Sequence, residues 1–152
     1  MRMRALGLGD GKEYLMKEDK AQAARPISPH LSIYRWNWTF VMSGFHRVSG
    51  FAIYFGSVIP LIWILSLALG KEYYDWVTWL YTTWWFGLPI LFAYTWGVAH
   101  HTMGGIRHFI WDCCFMLEKD QRELMAKATL AASVLVTLGI WVIILGLMIF
   151  YS

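Results

Sequence analysis

The chain has 152 residues, of which 58% are hydrophobic, 18% aromatic and only 15% charged, with a formal net charge of +3. A soluble domain carries about 45–50% apolar and about 25% charged residues, and a chain this short has too little interior to hide the excess from water. The composition excludes an ordinary water-soluble enzyme and leaves a single domain whose solvent is lipid. The small positive balance calls for no nucleic acid.

Residues 1–24 are polar and read as a tail, with 25–152 forming the membrane part. No apolar run occurs before Phe40, so no secretory signal is expected, and Asp10, Glu13, Glu18 and Asp19 make the tail too acidic for a mitochondrial presequence. The Gly7–Gly11 run follows no strand and is not a dinucleotide fingerprint. Pro26 and Pro29 bias the next segment toward an extended path. Trp36 and Trp38 then suit the headgroup level.

Three apolar stretches follow, at about 45–69, 84–111 and 128–151, each reaching the roughly 20 residues that cross a hydrocarbon core. None alternates as a barrel strand would, so an all-α integral membrane fold of three transmembrane helices is expected. Residues 71–83, with Trp76, Trp79 and Tyr81, read as an aromatic loop or short interfacial helix. The third stretch has no titratable group except Tyr151 and reads as packing alone. Arg2, Arg4, Lys12, Lys17, Lys20, Arg25 and Arg35 precede the first stretch, while Lys119, Arg122 and Lys127 follow the second. The loop between them holds only Lys71. This bias puts the N-terminus and the second loop in the cytoplasm, or in the matrix of a mitochondrion, with the bacterial inner membrane the simpler address. Cys113 and Cys114 are direct neighbours without the spacing of a zinc or iron–sulfur site, and read as structural thiols.

Polar residues retained in lipid mark candidate sites. His101 and His108 are two helical turns apart and share a face, with Gly97, Gly104 and Gly105 on or beside it. Such a face, nearly flat with an imidazole deep in the hydrocarbon, suits a porphyrin; Arg107 and His108 lie nearer the surface, where propionates would be. The same glycines equally suit helix–helix contact, the histidine a hydrogen bond to a neighbour, and Arg107 a positive flank, so spacing leaves both readings open. His100 points about 100° away around the helix. A six-coordinate haem would need its second histidine from another chain. On the first helix Ser43 and Arg47 are four residues apart, with His46 and Gly50 on the same broad face. A hydroxyl and a guanidinium there suit a quinone, whose oxygen the serine can bond and whose developing charge the arginine can stabilise. A helix N-cap at Ser43 and an Arg47 snorkelling to phosphate explain the pair as well.

Taken in order, Arg25–Tyr34 (R-P-I-S-P-H-L-S-I-Y), Ser43–Gly50 (S-G-F-H-R-V-S-G) and the His101–Asp112 pattern H-x-x-x-G-I-R-H-x-x-x-D resemble the cytochrome b556 subunits of succinate dehydrogenase. These are the larger of the two membrane anchors of respiratory complex II. The resemblance runs from Arg25 to the C-terminus and is similar to the mitochondrial and alphaproteobacterial branch; Gly44 stands where relatives usually carry a larger apolar residue. It implies that His101 is an axial ligand of haem b, with the other histidine on a second small anchor subunit. It implies Ser43 and Arg47 as quinone-pocket residues, for ubiquinone or menaquinone. It puts His46, His108, Arg107 and again Arg47 in the vicinity of the haem propionates. An iron–sulfur subunit and a flavoprotein subunit complete the implied assembly, which passes electrons from succinate to quinone. The same architecture also serves quinol:fumarate reductases. A cytochrome b subunit of another membrane oxidoreductase, or a haem-free anchor, matches the three motifs together less well.

Overall fold

The computed structural model describes residues 15–20 and 33–150, and every regular element among them is helical. The chain divides into an N-terminal unit, Met1–Arg35, and a body, Trp36–Ser152. Within the first unit residues 15–20 are helical; most of the 1–24 tail and residues 25–32 of the Arg25–Tyr34 motif lie outside the described residues.

The body opens with α1, Trp38–Gly56, capped by Asn37, whose side-chain oxygen accepts from the Phe40 N–H at 2.8 Å. An asparagine at this position satisfies one of the donors that a helix start leaves unpaired. α1 therefore begins two turns before the apolar stretch does, and the N-cap reading of Ser43 is corrected: Ser43 sits inside the helix. After a one-residue interruption at Ser57 the chain continues as α2, Val58–Leu69. Pro60 accounts for the break, because it has no N–H for the Gly56 carbonyl and its ring crowds that oxygen. Ser57 keeps helical angles and donates its N–H to Ile53, so the interruption bends the path without ending it.

Gly70 then reverses the chain at φ +113°, which a side chain would not tolerate. The turn starts α3, Lys71–Thr82, so the aromatic segment is a helix. α3 folds back on α2, where the Tyr81 hydroxyl donates to the Ile59 carbonyl at 2.9 Å, and burial raises the Tyr81 phenol above its ordinary pKa. α4, Gly87–Asp112, follows a tight turn in which a Cβ at residue 87 would collide with the Leu80 and Tyr81 carbonyls. A connection holding Cys114 and Met116 at φ near +60° leads to α5, Lys119–Phe150. That helix begins about two and a half turns before the third apolar stretch, so Lys119, Arg122 and Lys127 are helical rather than in a loop. Cys113 and Cys114 are exposed free thiols in the connection.

Residues 38–69 and 119–150 are each 32 residues long and apolar enough to cross a membrane. α4 has 26 residues, about 39 Å at 1.5 Å each, but polar side chains such as His100, His101, Arg107 and His108 lower its apolarity. The polarity of the body is inverted relative to a soluble protein. Phe51 is 69% and Ile149 77% exposed, whereas Ser49, Ser66, His100, Arg107, Ser133 and Thr137 are buried. Apolar side chains face outward where lipid would solvate them, and small polar ones line the helix contacts.

Candidate functional site

α1 and α4 run antiparallel. His46 meets Gly104, Gly50 meets His101 and Gly56 meets Tyr94, so rising numbers on one helix pair with falling numbers on the other. Two glycines make the approach possible. A Cβ at Gly104 would land in the His46 ring, and one at Gly50 would stand 3.0 Å from His101 Cε1. Gly104 thus takes up a helix contact instead of leaving flat open surface, while Gly97 and Gly105 have nothing within 4 Å of where a Cβ would be.

The crossing assembles three histidines. The His46 and His101 rings stack with centroids 4.1 Å apart and planes 6° apart, and His108 lies 5.4 Å from His46. Hydrogen bonds fix the state of His101. The Ser49 hydroxyl donates to the His46 carbonyl at 2.8 Å, so its oxygen can only accept from the imidazole. His101 Nδ1 therefore carries the hydrogen and shares it between the His46 carbonyl at 3.1 Å and Ser49 Oγ at 3.3 Å. In the neutral imidazole Nε2 then carries the lone pair, and it has no hydrogen-bond partner among the described residues. An imidazole held through Nδ1 in this way has the orientation that a metal-binding histidine needs.

Arg107 is 2% exposed, with Nε and Nη1 lacking partners among the described residues and its guanidinium 5.1 Å from the Trp111 ring centre. His46 Nε2 and Trp111 Nε1 are likewise buried without partners. This end of the bundle is rich in unmet donors, and a buried guanidinium without an anion is costly. Ser43 is half-buried and Arg47 exposed, one turn apart on α1, and neither makes a hydrogen bond or ion pair with the histidine cluster. At Gly44 a side chain would meet open space. His100 faces α5 instead, where its Nδ1 lies 3.3 Å from Ser133 Oγ.

Two features escaped the sequence reading. Ser49 stands within the Ser43–Gly50 motif, but its bond to His101 depends on the α1–α4 crossing. The last helix packs against the body as expected, but through a stripe of Thr129, Ser133, Thr137 and Trp141 whose Ser133 reaches His100. Their spacing of four is visible in the sequence and was the available signal.

The family model for the succinate dehydrogenase/fumarate reductase transmembrane subunit matches residues 21–140. The succinate dehydrogenase cytochrome b556 subunit of Paracoccus denitrificans is 29% identical over 116 residues, covering 76% of this chain and 88% of the relative. The cytochrome b560 subunit of Reclinomonas americana is 29% identical over 123 residues, with 78% and 85% covered. The mitochondrial cytochrome b560 subunit of Sus scrofa is 31% identical over 120 residues, with 76% and 69% covered. The match takes in the whole α1–α4 crossing and most of α5, and the chain belongs to the succinate dehydrogenase/fumarate reductase transmembrane subunit family.

Proposed function

We propose that this chain is the haem- and quinone-binding membrane anchor of a succinate:quinone oxidoreductase, with His101 an axial ligand of haem b. The observation that carries the reading is the hydrogen-bonded state of His101, whose Nδ1 is held by α1 and whose Nε2 is bare. The donor set fits the group. Arg107, His46 and His108 offer nitrogen to the propionates, Arg47 adds charge at the same end, and Gly97 and Gly105 leave space beside the face. The His46 ring stacks on that of His101 with centroids 4.1 Å apart, so His101 would be the histidine by which this chain holds the haem. The second histidine then comes from a second small anchor subunit. When bound, the haem supplies a one-electron couple.

Quinone binds near Ser43 and Arg47. The Ser43 hydroxyl donates to a quinone carbonyl, and Arg47 offsets the negative charge that reduction develops there. Two electrons and two protons convert ubiquinone or menaquinone to its quinol. The electrons come from succinate through a flavoprotein subunit and an iron–sulfur subunit seated on the charged end. α1 with α2, then α4, then α5 make three spans of a bacterial inner membrane, N-terminal side in the cytoplasm, and the second anchor completes the bundle. The family also includes fumarate reductases, so the reverse reaction is the second reading.

Purification of the membrane complex through a tag on this chain tests the proposal. The expected product contains the three other subunits, a low-spin b-type spectrum and succinate-dependent quinone reduction. Ser43→Ala should raise the quinone KM by up to about tenfold, the loss of one hydrogen bond, with the complex intact. A complex without haem and without succinate oxidation, or faster fumarate reduction by quinol, would replace this reading.

A further inference from the structure

Consecutive residues on a helix project about 100° apart, so neighbouring side chains can grip two different helices. His101 is held by α1, and His100, one residue earlier, is held by α5. We infer that His100 is a positioning residue for His101: through Ser133 it fixes the rotation of α4 that aims the His101 imidazole. The inference rests on the proposed role of His101.

The contact to α5 is a single side-chain pairing. Ser133 donates its hydroxyl hydrogen to the Leu130 carbonyl at 2.8 Å, so toward His100 it can only accept. His100 Nδ1 lies 3.3 Å from Ser133 Oγ and donates to it in the tautomer that leaves the buried, unpartnered Nε2 bare. Both partners are enclosed, His100 at 1% exposure and Ser133 at 0%, so no water competes for the bond. Trp96 and Phe45 pack around the imidazole with centroids 5.3 and 6.2 Å away, which restrains its rotation. Thr129 and Thr137 on the same stripe spend their hydroxyls on Met125 and Ser133 of their own helix. Ser133 is the member of the stripe whose oxygen reaches α4.

The two grips act in opposition. Turning α4 to lengthen His100–Ser133 swings His101 relative to the His46 carbonyl and Ser49, and the reverse holds. With the α5 grip removed, only His46 and Ser49 set the angle of the His101 plane. The electronic structure of a low-spin haem depends on the planes of its axial imidazoles, so the grip is readable spectroscopically.

The test uses the purified complex with His100→Phe, Ser133→Ala, both together, and His100→Asn, whose amide nitrogen can stand where Nδ1 does. Electron paramagnetic resonance g values and the haem midpoint potential are recorded for each. His100→Phe and Ser133→Ala should move both signals in the same direction, the double variant should move them no further, and His100→Asn should restore them. Should His100→Phe fail to assemble, Ser133→Ala, which removes one oxygen atom, decides alone. Wild-type g values and potential in Ser133→Ala, or failure of His100→Asn to restore them, overturns the inference. His101→Ala separates the two levels. A signal that survives it removes the foundation, whereas a signal lost there and unmoved in Ser133→Ala removes only the role of His100.

Discussion

At the scale of single residues, the chemistry is set by which imidazole nitrogen is occupied. Ser49 and the His46 carbonyl together hold the His101 Nδ1 hydrogen, so Ser49 orients the imidazole proposed to hold the haem. Ser49→Ala should weaken haem retention about 10–100-fold, the usual effect of losing such support, measured as haem per complex against competing apo-myoglobin. Full haem occupancy under competition would assign Ser49 to packing. The shared face of His101 and His108 was legible from their seven-residue spacing, because periodicity along one helix is local. The Ser49 contact was not, since it exists only where two helices cross. Arg107 was legible as a charged position, but spacing alone left its burial without a partner undetermined.

At the scale of elements, ends and contacts decide more than apolar content. The apolar stretches located the helices, yet α1 starts at Trp38 and α5 at Lys119, both outside those stretches. Hydropathy registers the part of a helix in hydrocarbon, while hydrogen bonding and caps carry the helix onward. At 32 residues α5 is about 48 Å long, more than a core of about 30 Å requires, so its charged first turns project from the membrane. Asn37→Ala should destabilise α1 by about 1 kcal/mol, seen as a lower thermal midpoint of the complex with unchanged haem spectrum. Glycine roles separate in the same way. Gly104→Ala forces a Cβ against the His46 ring and should cost about 1–3 kcal/mol, whereas Gly139→Ala meets open space and should leave the midpoint unchanged or slightly raised. Equal effects of the two substitutions would contradict the close α1–α4 crossing. The glycines themselves were plain in the sequence, but which one receives a neighbour depends on helix rotation.

At the scale of the whole molecule, polarity is turned outside in: lipid-facing apolar side chains surround helix contacts built from serine, threonine, histidine and arginine. Composition made that solvent legible at once. As a member of the succinate dehydrogenase/fumarate reductase transmembrane subunit family the chain belongs to a larger complex, and His46, Trp111 and Arg107 at one end have polar atoms without partners among the described residues. Expressed without the other subunits, the chain should aggregate in mild detergent and carry substoichiometric haem, read by size-exclusion chromatography at two wavelengths. A monodisperse, haem-loaded single chain would mean that its polar faces need no partner. The proposed haem ligation by His101 is read in the reduced-minus-oxidised spectrum of the purified complex, wild type against His101→Ala and His100→Ala. The low-spin b-type signal should be lost or change character in His101→Ala and persist in His100→Ala. An unchanged signal in His101→Ala would contradict that ligation and move the ligand elsewhere.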